Sequence, residues 1–171
     1  MDGLSSQKKA ELRALIERLK KLRMEEVLAY WINSEIEEAE MYNSLANKVS
    51  QYSWDERIEK LFRELARESL DHAEALLREY KRRYSGPLPQ VDLPSVEVEF
   101  SEEELEKKLR NGRLEELLGI LMASEKFAWE VYEYLANNAE GELRNLFAQL
   151  ARVESGHYRM LENLLNALRR E

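Results

Sequence analysis

Residues 34–47 read S-E-I-E-E-A-E-M-Y-N-S-L-A-N and residues 124–137 read S-E-K-F-A-W-E-V-Y-E-Y-L-A-N, which sets Glu35, Tyr42 and Ala46 in register with Glu125, Tyr132 and Ala136. Further along, L-F-R-E-L-A-R-E-S-L-D-H from Leu61 matches L-F-A-Q-L-A-R-V-E-S-G-H from Leu146, and so places His72 against His157, the two histidines of the chain. A lone glutamate, a tyrosine two helical turns on and a histidine in the next segment therefore occur twice, the signature of one helix-pair unit used twice.

Around these residues the apolar positions recur at helical spacing. Val27, Leu28, Trp31, Glu35, Ala39, Tyr42, Ala46 and Val49 form one stripe, and Ile58, Leu61, Phe62, Leu65, Ser69, His72 and Leu76 a second. Leu114, Leu117, Leu118, Leu121, Glu125, Ala128, Tyr132 and Leu135 form the third; Leu143, Leu146, Phe147, Leu150, Glu154, His157, Leu161 and Leu164 form the fourth. Each stripe is interrupted by a polar residue near its middle. Four such helices are expected to make a bundle with a polar centre, folded as two antiparallel hairpins with short loops near 51–53 and 137–141.

Between the pairs lies S-G-P-L-P-Q-V-D-L-P-S-V-E-V-E-F, residues 85–100, which holds all three prolines. Proline removes a backbone donor and disfavours helix at the residue before it, so this segment is expected to be extended, with Val96, Val98 and Phe100 along a surface. Its reach of roughly 50 Å exceeds the about 38 Å of a 25-residue helix, so it can carry the chain back along the bundle. Two further helices are predicted: Leu12, Leu15, Ile16, Leu19 and Leu22 outline one ahead of the bundle, and Ser101 with Glu104 forms a capping box for a short one stopped at Asn111 and Gly112.

Composition narrows the chemistry. The 171 residues carry a formal net charge of -8, with 35% charged residues and no dense basic run, which disfavours nucleic acid as a partner and favours small molecules or cations. No apolar run reaches the length of a membrane span, and Met1 to Lys9 holds no apolar leader, so a cytoplasmic protein is expected. The absence of cysteine removes thiolate metal sites, iron-sulfur centres and nucleophilic thiols; any metal must be held by oxygen and nitrogen. Abundant Glu, Lys and Arg without Cys resembles the usage of thermophile proteins.

Glu154 and His157 stand three apart and share a helix face. With an inward glutamate from the preceding helix they supply the oxygen and nitrogen donors that first-row divalent metals accept. A buried carboxylate costs several kcal/mol or takes up a proton, so inward glutamates in leucine-rich stripes call for a cation.

On these residues the chain resembles a rubrerythrin-type member of the ferritin-like di-iron carboxylate proteins, without a rubredoxin domain. That family's site takes a Glu from each of two helices and Glu-x-x-His from each of the other two. The resemblance implies an all-α, ferritin-like four-helix bundle of two antiparallel hairpins joined by a long crossover. Residues 1–171 would be one domain, with 1–23 an N-terminal helical extension and 85–112 the crossover linker and short helix. It assigns Glu35 and Glu125 to the lone-glutamate roles, Glu154 and His157 to an intact Glu-x-x-His, and His72 to the other histidine. Tyr42 and Tyr132 are expected in the core with hydroxyls on ligand carboxylates.

One position departs: three residues before His72 stands Ser69, where the family has Glu. Glu35, Glu125 and Glu154 then fall one charge short of balancing two divalent ions. Glu68, four before His72 and on its face, is a substitute; the alternative is a water-filled, weaker or single-metal site. Glu38 is read as part of a solvated face rather than as an accessory ligand.

The function implied is a dinuclear iron centre, with manganese or zinc as alternatives, reacting with peroxide or O2 as a peroxidase or ferroxidase. The metal ligands themselves are the reactive residues, and a cysteine-free chain needs an external electron donor. Two other readings stay open: a non-catalytic metal-binding or iron-handling protein with a degraded site, and a structural helical dimer whose site is a relic. A homodimer is expected, because the amphipathic N-terminal helix needs an apolar surface.

Overall fold

The computed structural model describes residues 6–51, 55–96 and 102–170. Six helices occur among them: α1 (Ser6–Leu19), α2 (Met24–Gln51), α3 (Glu56–Arg83), α4 (Glu102–Arg110), α5 (Leu114–Asn138) and α6 (Gly141–Leu168). There is no strand among the described residues. The principal packing pairs are α2 with α3 and α5 with α6, the two hairpins that the repeated motif predicts. No described helix is long and apolar enough to cross a membrane.

Local chemistry explains the helix ends. The N-terminal helix and α2 are separated where neither Gly nor Pro stands. Glu26 there accepts a hydrogen bond from the Arg23 backbone N–H at 2.8 Å, the returning half of a capping box. Asp55 opens α3 by accepting from the Arg57 N–H at 2.9 Å. Gly112 follows α4 at φ 70°, the left-handed conformation that ends a helix without a Cβ penalty. The Ser101–Glu104 capping box, Val98, Phe100, Trp54 and most of the first hairpin loop lie outside the described residues.

A polar layer divides the core in two. One cluster joins Val27, Leu28 and Trp31 of α2 to Leu76 and Tyr80 of α3, Tyr132 and Leu135 of α5, and Phe147 and Leu150 of α6. The other joins Tyr42 and Val49 of α2, Ile58, Phe62 and Leu65 of α3, Leu117, Leu118 and Leu121 of α5, and Leu161 of α6. Between the clusters α2, α3, α5 and α6 each contribute polar groups: Glu35 and Glu38, Ser69 and His72, Glu125, then Glu154 and His157. The order in which each helix meets the clusters gives its direction. Helices α2 and α6 run one way and α3 and α5 the other.

This arrangement requires a crossover along the bundle. Leu88, Val91, Leu93 and Val96 pack on the first cluster, whereas Leu105 and Leu109 of α4 are buried in the second. The extended segment is pinned by side chains reaching its carbonyls: Tyr80 to Pro87 and Tyr30 to Pro94, both at 2.9 Å, and Arg18 to Asp92 at 2.8 Å. Its own carbonyls have no ladder to join, so these bonds satisfy them.

Candidate metal centre

Helix α2 places Glu35 and Glu38 three residues apart on one face. Both are buried, Glu38 at 8% exposure, which corrects the expectation that Glu38 belongs to a solvated face. Its surroundings explain the burial. Ser69 on α3 is fully buried, and its Oγ lies 2.9 Å from Glu38 Oε2 and 3.0 Å from the Leu65 carbonyl, so its single proton is shared between them. Glu38 of α2 thus brings a carboxylate to the level of α3 at which Ser69 stands.

Four ligand atoms, one each from Glu38, Glu125, Glu154 and His157, lie within 4.8 Å of one another. His157 Nδ1 is 3.4 Å from Glu38 Oε1 and 3.8 Å from Glu125 Oε2. Glu35 lies beside this set. Its Oε1 accepts from the Trp31 indole N–H at 2.8 Å, and its Oε2 is 3.4 Å from His72 Nδ1. The two imidazole rings stack with centroids 5.7 Å apart, so the two groups of donors are neighbours. Of the expected residues, Glu35, His72, Glu125, Glu154 and His157 meet in the polar layer. Glu68 is half-buried and is not among the converging ligand atoms.

The electrostatics are those of a site short of positive charge. Burial and the charge of Glu38 hold the Glu125 carboxyl well above the usual carboxylate range. Burial likewise raises Glu35, against the contact with His72. Burial would also raise Glu38, but the charge and hydrogen bond of His157 and the bond from Ser69 outweigh it and lower this carboxyl. Burial works against charge on His157, yet Glu38 above all pushes it up to about 10. Tyr42 donates its hydroxyl proton to Glu125 and is itself pushed well up by burial and that carboxylate. Tyr132 is buried in the equivalent place.

A metal fits this donor set by a direct criterion. Glu35 Oε2, Glu38 Oε1, Glu125 Oε2, His72 Nδ1 and both ring nitrogens of His157 are buried, and their contacts with one another are long, 3.4 Å from His157 to Glu38 and from His72 to Glu35 and 3.8 Å from His157 to Glu125, so none is saturated by a well-formed hydrogen bond. Buried polar atoms are rarely left so, and here they cluster as two adjacent groups of oxygen and nitrogen donors. A divalent cation would neutralise the carboxylates and take up these lone pairs.

Tyr42 holds the centre from the side. In Tyr42→Phe, Glu125 Oε1 loses its donor while packing is nearly conserved, and the metal-free protein is expected to lose about 1–3 kcal/mol in urea unfolding at neutral pH. A change within about 0.5 kcal/mol, as at an indifferent site, would show that the bond carries no weight.

Comparisons with known proteins bear on the family and the fold. A solved structure of a hypothetical protein from Pyrococcus furiosus is similar at 26% identity, with a TM-score of 0.61, covering 90% of this chain and 94% of that one. A comparison with curated proteins returns no match. The family model Rubrerythrin matches residues 26–165, from the start of α2 almost to the end of α6. The chain belongs to the rubrerythrin family.

Proposed function

We propose that this chain binds two iron ions in the polar layer and supports their reaction with peroxide or O2. The observation that carries the reading is the convergence of one ligand atom each from Glu38, Glu125, Glu154 and His157 within 4.8 Å of one another in a buried layer, in a chain of this family. The chemistry such a centre supplies when loaded is electron donation to an oxygen-oxygen bond.

The surrounding residues contribute position and protons. Trp31 and Tyr42 fix one oxygen each of Glu35 and Glu125, leaving the other oxygen free to face a cation. Tyr42 keeps its hydroxyl proton, since burial beside Glu125 raises its pKa. The two core clusters above and below the layer exclude water from its inner part, where the His157 side chain is 1% accessible, which strengthens the interactions there. These residues contain no cysteine, so the reducing equivalents for repeated turnover come from a separate donor.

The test is anaerobic loading of metal-free protein with Fe2+, followed by H2O2 or O2. The expected result is two ions per chain and a rapid rise in ferric absorption as the oxidant is consumed. A second reading, metal binding without turnover, is favoured by Ser69, which leaves α3 with one ligand. It predicts bound iron and no change in absorption faster than that of free Fe2+.

A further inference from the structure

We propose, on the basis of the metal reading above, that the two metal positions are unequal: an inner one that binds first and tightly, and an outer one that binds second and weakly. The inner position is the set Glu38, Glu125, Glu154 and His157. It is the only group of three or more such donors converging among the described residues, and all four members are buried. The outer position has two donors, Glu35 and His72, 3.4 Å apart. His72 is the exposed member of the layer, with 33% of its side chain accessible against 1% for His157.

His72 also borders a cavity of about 610 Å3, whose wall includes Met24, Leu28, Trp31, Leu146 and Val153. The cavity lies between α2, α3 and α6 and is open to solvent beside the outer pair. None of the inner four residues lines it. Of the outer pair His72 lines this cavity and Glu35 lies behind it, so an ion on the two would meet the cavity at its His72 side, from which water or a small ligand could fill its remaining coordination positions.

Charge fixes the order. Three carboxylates around a divalent ion leave one negative charge, to which Glu35 adds a second. The loaded inner set thus attracts a second divalent cation to the neighbouring position, where only one carboxylate and one imidazole await it. Ligand number and ligand charge are what set affinity in oxygen-rich sites, so attraction brings the second ion in and poor coordination keeps it exchangeable.

The test is calorimetric titration of the metal-free full chain with Co2+, which is not oxidised by air during the measurement. Two classes of one ion each are expected, separated by at least about tenfold in Kd, with only the second removed by brief treatment with a chelator. His72→Ala should abolish the second class and leave the first within about threefold, and Glu38→Gln should weaken the first. Two ions of a single affinity, or equal loss of both in His72→Ala, would overturn the proposal while leaving a metal protein. One ion with no second at any accessible concentration would do the same. Absence of any bound ion would overturn the metal reading itself. Because the wild-type titration alone separates these outcomes, the proposal does not depend on how well the variants fold.

Discussion

Metal-free protein is expected to lose stability as the pH rises from about 6.5 towards 10, and bound metal to reverse the trend. His157 has its pKa raised from 6.5 to about 10 in the folded chain, so the fold holds this proton more tightly than the unfolded chain does. A raised pKa gives stability that is complete below 6.5 and is lost as the pH climbs through 10. Glu125 and Glu35, also raised, act in the same direction from the carboxylate range upward. Within the polar layer Glu38, whose pKa is lowered, contributes in the opposite sense, as do Glu26, Asp55, Glu79, Glu106 and Glu116 at the surface, and those contributions are lost as the pH falls through the carboxylate range, away from the alkaline limb. The His157 shift corresponds to at most on the order of 5 kcal/mol, shared with Glu38.

A divalent metal competes with protons for the same atoms, so its stabilisation grows as they ionise. His157→Ala removes the buried cation from among the carboxylates. It should cost the metal-free protein about 3–5 kcal/mol at neutral pH, flatten the alkaline slope and abolish most of the metal-induced rise in Tm. Urea unfolding across pH, with chelator and with added metal, measures all three. A flat alkaline limb in the wild type, with His157→Ala equally stable, would mean that the polar layer is hydrated and uncoupled from folding.

The repeat made most of the architecture readable. Glu35, Glu125, Glu154, His157 and His72 were each identifiable because a polar residue recurring at the centre of an apolar stripe has to point inward. The direction of the crossover followed from its prolines and its reach. The trade between Ser69 and Glu38 was not readable, and the reason is geometric. Helical spacing places Glu38 on the face of Glu35, but whether a side chain near the edge of a stripe turns inward depends on the volume opposite. That volume is set by Ser69, on another helix and 31 residues away along the chain. A signal did exist: the shortfall of one carboxylate on α3 and a surplus acid one turn from Glu35 are complementary. Joining them required knowing that α2 and α3 face each other at that level. The end of α1 was hidden for a different reason, since Glu26 does there with a side-chain cap what glycine or proline does elsewhere.

Exchanging the two residues should transplant the carboxylate back to α3. Ser69→Glu alone forces extra atoms and a further charge against Glu38, where Oγ already lies 2.9 Å from Oε2. Overpacking of about 1–3 kcal/mol adds to the penalty of an unpaired buried charge, so the metal-free single variant is expected to be strongly destabilised at neutral pH. Glu38→Ser alone removes the main partner of the buried His157 cation, so metal-free stability should fall, by up to about 3–5 kcal/mol at neutral pH. It also removes one of the four inner donors, and metal affinity should fall by about 10–100-fold. The double variant Glu38→Ser with Ser69→Glu keeps the number of carboxylates and the volume while changing the helix that supplies them. It should recover most of the stability lost in Ser69→Glu and bind metal within about tenfold of the wild type, a coupling of about 0.5–3 kcal/mol between the two positions. Glu68→Ala serves as the comparison, expected within about 0.5 kcal/mol of wild type in stability and unchanged in metal content. If the double variant is no better than the worse single one, Glu38 and Ser69 do not share one volume. If Glu68→Ala loses as much metal as Glu38→Ser, the fourth carboxylate comes from α3 after all, and the inner set must be redrawn around Glu68.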